Sequence, residues 1–352
     1  MTYAILYNPG HNRVYFDAAL KIALSEFKIA VQKLGISCEN PENRRIGGIY
    51  YLTFETDVRL RESEVAALSR LSFVYALFEM TGSGGKEALI PLEKPGANYI
   101  DEGISSIMKY SGKTNELFTR MLINIACFSR NSSGDIRLLD PISGKGTTLY
   151  EGLIRGYDVF GVEVGEKVTN EACRFLEKFL QTAKYKFERK TEKISGAGRS
   201  FSATKYSFTI ARTKEEMKAG QTKRAEFVAG NSQFAASFFK RESFDIIVGD
   251  LPYGVQHGNV TNEKQSSLTR NPTELLGACL PPWTEVLKPG GAIALSWNLN
   301  VLSRVDMIKI FEREGLAVKD EGPYAELAHR VDQAIVRDVI VAVKPARKTA
   351  AS

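Results

Sequence analysis

The sequence predicts an α/β fold, and three observations carry that prediction. From residue 137 to 344, strand-like apolar runs alternate with helical patterns. The first of these runs, residues 136–140, breaks into a glycine-rich turn, Pro141-Ile142-Ser143-Gly144-Lys145-Gly146-Thr147-Thr148. A later run, Ile246-Ile247-Val248, stops at Gly249 and opens into Asp250-Leu251-Pro252-Tyr253-Gly254. That is the form of a buried strand ending in a shaped loop. In open α/β sheets ligands sit beyond the carboxyl ends of the strands, which makes both loops candidate site elements.

The bulk numbers set limits. A chain of 352 residues is long enough for two domains. Apolar content of 43% and charged content of 25% describe an ordinary globular protein. No stretch approaches the ~20 apolar residues that span a bilayer, so no membrane partner is expected. The first residues enter a strand-like run with no basic segment before it, so no signal peptide is expected. Cys38, Cys127, Cys173 and Cys279 are scattered without a C-x-x-C pair. That spacing argues against a disulfide framework or a zinc ribbon and fits a reducing, cytoplasmic location; no metal is expected. A net charge of +6 is compatible with a nucleic-acid partner.

The N-terminal part reads as a small α+β unit of ferredoxin-like type. Residues 3–7 form a strand. Residues 15–34 carry Ala19, Ile22, Ala23, Phe27, Ala30 and Leu34 at helical spacing and stop at Gly35. Strands follow at 48–54 and 73–80, with a short helix at 63–71 between them and a further strand at 88–92. His11, between Gly10 and Asn12, reads as a solvated turn residue. Pro95-Gly96-Ala97-Asn98 punctuates the chain, which divides it into a small domain over 1–100 and a larger one over 101–345.

The larger domain begins with an amphipathic helix at 115–129. The strand at 136–140 and its glycine turn follow. Glycines at a strand-to-helix turn let a ligand approach the backbone, and the helix start presents unpaired N–H groups. The turn is not a P-loop, because Lys145 precedes the second glycine. Nor is it a dinucleotide fingerprint, because Leu149 stands where the third glycine belongs. A second strand, 157–164, ends at Glu163, about 20 residues beyond the turn, where an acid can accept both hydroxyls of a ribose. A helix spans 165–180.

Residues 184–224 interrupt the alternation and are rich in Lys, Arg, Ser and Thr, with Tyr185, Phe187, Phe201, Tyr206 and Phe208 interleaved. This stretch is either a surface that tracks a phosphate backbone and stacks bases or a solvated insertion. The alternation over 201–210 predicts a β-hairpin arm. Strand 225–229 leads to Gly230-Asn231-Ser232, where the Asn231 amide oxygen is an acceptor. Beyond the Asp250 loop, residues 255–269 are polar and aperiodic, which predicts a mobile lid. Its His257 reads as a surface residue. A helix at 273–287 stops at Lys288-Pro289-Gly290-Gly291, and a strand covers 292–297. Helix 305–314 and strands 317–319 and 334–344 complete seven strands, with His329-Arg330 in the turn between the last two. The tail beyond Pro345 frays.

Two of these motifs carry a resemblance. Asp140-Pro141-x-x-Gly144-x-Gly146-Thr147 resembles the first cofactor motif of S-adenosylmethionine-dependent methyltransferases that modify exocyclic amines of bases. Asp250-Leu251-Pro252-Tyr253 resembles their [Asn/Asp]-Pro-Pro-[Tyr/Phe/Trp] loop, with Leu251 in place of the first proline. Ser143 replaces the cysteine common before the first glycine. The resemblance implies a class I, Rossmann-like methyltransferase with a seven-stranded sheet, closed by an antiparallel last strand. It implies cofactor-binding positions at Thr119, Asp140, Pro141, Ser143, Gly144, Gly146, Thr147, Glu163, Val164, Asn231 and Ser232. It implies a catalytic loop of Asp250, Leu251, Pro252 and Tyr253.

With its small N-terminal domain the chain is similar to RNA methylases related to the tRNA guanosine-N2 methyltransferases, whose catalytic domain follows an RNA-binding THUMP module. The N-terminal unit here is shorter than that ferredoxin-like and THUMP pair. The implied activity is methylation of a base amine in RNA, with guanosine N2 in tRNA foremost, using S-adenosylmethionine and no metal. The alternatives are adenine-N6 methylation of DNA or rRNA, glutamine methylation in a protein, and a non-catalytic nucleic-acid-binding protein on the same fold.

Overall fold

The structure is a computed structural model that describes residues 1–9, 13–82, 86–94, 96, 98–107, 113–196, 201–252, 272–331 and 333–346, with side chains of the first helix from residue 20 onward. It divides into two compact units: residues 1–97 with 320–339, and residues 98–319 with 340–352.

The first unit runs β1 (Thr2–Tyr7), α1 (Arg13–Leu34), β2 (Cys38–Ile46), β3 (Ile49–Thr56), α2 (Glu62–Leu68), β4 (Val74–Thr81) and β5 (Ala88–Pro91). Its sheet has the order β2-β3-β1-β4-β5 with antiparallel neighbours, a split βαβ arrangement extended by β5. Alternate residues point to opposite faces, so Tyr3, Ile5, Leu52, Phe54 and Leu77 bury together with Phe27 of α1. The Phe27 and Phe54 rings lie 4.7 Å apart.

β2 is a strand the sequence does not announce. Its residues, Cys-Glu-Asn-Pro-Glu-Asn-Arg-Arg-Ile, have no apolar alternation because it is an edge strand with both faces largely in water. Pro41 falls where the register shifts between Glu39 and Glu42, the kind of site a strand proline can occupy. Gly47 and Gly48, both at positive φ, close the hairpin to β3.

The second unit carries α3 (Gly103–Ile107), α4 (Glu116–Ser129), β6 (Arg137–Asp140), α5 (Thr147–Ile154), β7 (Asp158–Glu163), α6 (Glu166–Thr182), β8 (Lys186–Ser195), β9 (Ser202–Ala211), α7 (Lys214–Lys218), β10 (Lys223–Ala229), α8 (Ala235–Phe238), β11 (Phe244–Asp250), α9 (Pro272–Val286), β12 (Leu287–Asn298), α10 (Arg304–Arg313) and β13 (Ala317–Lys319). After these come β14 (His329–Arg330) and β15 (Val336–Val343); β14 and β15 up to Val339 are counted with the first unit. The strand order is β13-β15-β12-β11-β6-β7-β10-β9-β8, with β14 paired to the start of β15. Strands β12, β11, β6, β7 and β10 are parallel along the row, and β13 is antiparallel to β15.

The seven expected strands sit side by side in this sheet, and three more join them among the described residues. Two come from the 184–224 insertion. It does not stand off as a free arm, because β9 pairs with β10 along seven residue pairs from Lys223↔Ile210 to Ala229↔Thr204, and β8 pairs with β9. Tyr206, Phe208 and Ile210 are buried against the core on one face of β9. The third is β14, whose two residues the sequence places in a turn. β12 also starts earlier than expected, at Leu287, taking the Lys288-Pro289-Gly290-Gly291 stretch into the strand.

Helices clamp the parallel strands closely. A Cβ on Gly152 of α5 would lie 2.6 Å from Val159 Cγ1 of β7, so only glycine allows that approach. At the amino edge of the sheet, Asp245 accepts from Arg137 N at 3.0 Å and Lys288 Nζ at 2.8 Å. The carboxyl edge carries Asp140, Glu163 and Asp250 at the last positions of β6, β7 and β11.

Candidate active site

The β6–α5 turn is built around one buried carboxyl. Asp140 is 3% exposed and its Oδ1 accepts from Ile142 N at 3.0 Å, with the Thr148 hydroxyl as a further partner. Burial pushes its pKa up to about 7, against those hydrogen bonds and with the help of the Asp250 and Glu163 charges. Gly144 and Gly146 adopt φ of 51° and 90°. At Gly146 a Cβ would also meet Tyr150 and Phe227 at 3.2–3.3 Å. Ser143 N donates to Val162 O at 2.9 Å, which lays the turn on the end of β7.

Glu163 at that end joins two elements. Its Oε2 accepts from Gly144 N at 3.2 Å and its Oε1 from Gly165 N at 2.8 Å. Burial raises its pKa, and the two amides oppose the rise. At the end of β10, Asn231 Oδ1 accepts from Gln233 N at 3.0 Å. Ser232 Oγ accepts from Trp283 Nε1 of α9 at 2.9 Å. Asn231 thus serves as a local cap, and its carbonyl oxygen keeps a second acceptor site.

At the end of β11, Asp250 accepts from Thr114 Oγ1 at 2.7 Å and from Ser296 Oγ. Leu251 is buried, with its N donating to Ser296 O at 2.8 Å, and Pro252 is exposed. Tyr253 and residues 255–269 with His257 lie outside the described residues, as does His11.

Two cavities open on these groups. One of about 540 Å³ is lined by Pro141, Glu163, Val164, Asn231 and Ser232. One of about 370 Å³ is lined by Thr119, Asp140, Ser143, Gly144, Thr147 and Leu251. Ile142, Asp250 and Pro252 line both. The first suits a nucleoside: an acid for vicinal hydroxyls, apolar walls from Val164 and Ile142, and an amide. The second suits a short zwitterion, with Asp140 placed for an ammonium and glycine backbone for a carboxylate. S-Adenosylmethionine has both parts, joined at the sulfonium, and the residues present fit it.

Of the sequence-predicted positions, Gly146 lines neither cavity; its backbone conformation shapes the turn. The sequence gives no sign of several other contributors. Ser296 is one serine within an apolar strand. Ser202, Ala203 and Thr204 wall the first cavity because antiparallel pairing brings the start of β9 to the carboxyl edge. Leu275, Ala278 and Cys279 of α9 face it from the other side.

Among the described residues no helix is long and apolar enough to cross a membrane. No curated protein matches the chain. Among solved structures, a candidate RNA methyltransferase from Pyrococcus horikoshii is similar at a TM-score of 0.39 and 14% identity, over 69% of this chain and 94% of that one. An rRNA methylase from Streptococcus thermophilus is similar at 0.32 and 9%, over 60% and 87%. The 1,6-didemethyltoxoflavin-N1-methyltransferase of Burkholderia thailandensis, solved with S-adenosylhomocysteine, is similar at 0.34 and 13%, over 60% and 72%. The family model of UPF0020, described as the RMKL-like methyltransferase domain, matches residues 115–291. That span holds the Asp140 turn, Glu163 and the Asp250 loop, and S-adenosylmethionine is the cofactor. Since the match takes in half of the sequence, the chain belongs to the UPF0020 family through its RMKL-like methyltransferase domain.

Proposed function

We propose that this domain methylates an exocyclic amine of a nucleobase in RNA, with guanosine N2 of tRNA as its target. The observation that carries the reading is the position of Asp250, a carboxylate acceptor on the wall shared by the two cavities. S-Adenosylmethionine, when bound, supplies a methyl group already activated on a sulfonium. The chain's own task is to align the amine and exclude water. An exocyclic amine is a poor nucleophile because its lone pair is delocalised into the ring. Asp250 and the Leu251 or Pro252 carbonyl accept its hydrogens and localise that lone pair. Tyr253, next in the sequence, supplies the ring on which a flipped base stacks. Glu163 holds the ribose, Asn231 the adenine, and the 140–147 turn the amino-acid portion. The small N-terminal domain acts as an RNA-binding accessory to the catalytic domain.

The test is methyl transfer to total tRNA, rRNA and DNA, followed by nucleoside mass spectrometry. N2-methylguanosine in tRNA is the expected product. Asp250→Ala is expected to slow transfer by roughly a hundredfold or more while cofactor affinity holds. N6-methyladenine as the product, or full activity in Asp250→Ala, would sink the reading.

A further inference from the structure

We infer that Ser296 and Thr114 are positioning residues whose hydroxyls hold the Asp250 carboxylate in a fixed plane, as an acceptor aimed at the amine. The inference rests on the base-amine reading of this site. In that reading both act through Asp250; Ser296 lines neither cavity, whereas Thr114 also lines the second.

The geometry is two-sided. Ser296 is fully buried on β12, in register with Asp250 on β11. Its Oγ donates to Asp250 Oδ1, and its carbonyl accepts from Leu251 N at 2.8 Å. One residue thus pins both the carboxylate and the backbone of the loop that follows. Thr114 approaches from the far side, on the segment leading into α4. Its neighbour Asn115 caps that helix, accepting from Leu117 N at 2.8 Å and Phe118 N at 3.2 Å, so the backbone beside Thr114 is fixed. Thr114 Oγ1 donates to Asp250 Oδ2 at 2.7 Å.

Each carboxylate oxygen therefore has a hydroxyl of its own. The terminal torsion of an aspartate is broad and roughly two-fold, so an unbraced carboxylate swings. Two donors on opposite oxygens remove that freedom. Alignment of this kind is where misplacement by about an ångström costs large factors in rate.

The variants are Ser296→Ala, Thr114→Val and Thr114→Ser. Ser296→Ala keeps the carbonyl that holds Leu251, and Thr114→Val keeps the side-chain volume. Single-turnover methyl transfer is measured beside S-adenosylmethionine affinity by titration calorimetry and thermal unfolding. Each lost hydroxyl is expected to slow transfer roughly tenfold, with cofactor Kd within about twofold of wild type. Thr114→Ser is expected to restore the rate. Wild-type rates in both Ser296→Ala and Thr114→Val, or rate losses no larger than the losses of cofactor affinity, would overturn the inference. The acceptor panel is tRNA, rRNA, DNA and a glutamine peptide. Transfer to the peptide alone would end the nucleobase reading, while the variants would still report on the brace. Transfer to none of them would end both.

Discussion

Gly144 N donates to Glu163 Oε2 across 3.2 Å, so the glycine turn after β6 and the acid at the end of β7 form one hydrogen-bonded piece. The same carboxylate takes Gly165 N at the start of α6. A group placed to hold a ribose therefore also holds the wall around it. Glu163→Gln keeps an acceptor for one amide and turns an NH2 on the other. Cofactor affinity by calorimetry is expected to fall roughly 10- to 100-fold, the usual worth of a hydrogen bond to a charged group. Unchanged affinity would remove Glu163 from the cofactor site.

Asp140 gives the protein a pH dependence. Its native pKa near 7 lies above the ordinary carboxyl value of 3.8, so the folded protein keeps a proton that the unfolded chain has released. Its contribution is fully present below the unfolded value and is lost as pH rises through the folded one. Stability is therefore expected to decline between about pH 4 and pH 7 and to level off above. Asp140→Asn is expected to flatten that decline in urea unfolding. Parallel curves for the two proteins would show that Asp140 titrates normally.

Gly146 separates two costs of a side chain. At Gly220, φ is 70° and nothing lies within 4 Å of an added Cβ, so Gly220→Ala reports backbone strain alone. That is expected to cost about 1–2 kcal/mol. Gly146→Ala adds contacts at 3.2–3.3 Å with Tyr150 and Phe227 and is expected to cost more in denaturant unfolding. Equal losses would mean that the rings simply move aside.

The inserted hairpin walls the first cavity through Ser202, Ala203 and Thr204. Thr204→Trp puts a ring into that space and is expected to weaken S-adenosylmethionine binding by roughly tenfold or more, filling a site of ligand size. Binding at wild-type strength would place the cofactor elsewhere.

The parallel core of the fold is legible because its strands bury both faces and read as apolar runs, as in Ile246 to Val248. The site loops are legible because Asp250-Leu251-Pro252-Tyr253 and the Asp140 turn carry their chemistry in consecutive residues. What is hidden comes from partners distant in the chain. Ser296 matters only because β12 lies in register beside β11, and nothing local distinguishes it from any strand serine. β2 is hidden for a different reason: an edge strand has no buried face to write a period into its sequence. The insertion misleads because its exposed strand, β8, supplies the charges that read as a free arm, while its buried strand, β9, joins the sheet. There Lys205 lies 3.6 Å from Glu226, and Arg189 lies 2.6 Å from Glu177, so part of the positive charge is already matched.

The first unit is not complete at residue 97; it takes in residues 320–339 as well. A 3₁₀ turn at Gly322–Glu326 packs on α1, with Lys28 Nζ 4.0 Å from Glu326 Oε2. During synthesis that piece emerges only after all of residues 98–319. At ribosomal speeds this is a delay on the order of ten to forty seconds. The first unit thus leaves the exit tunnel first and stays unfinished while residues 98–319 of the second emerge, with the α1 surface that awaits the returning segment open to chaperones in the interval. A fragment cut at residue 97 would hold that half-made state indefinitely.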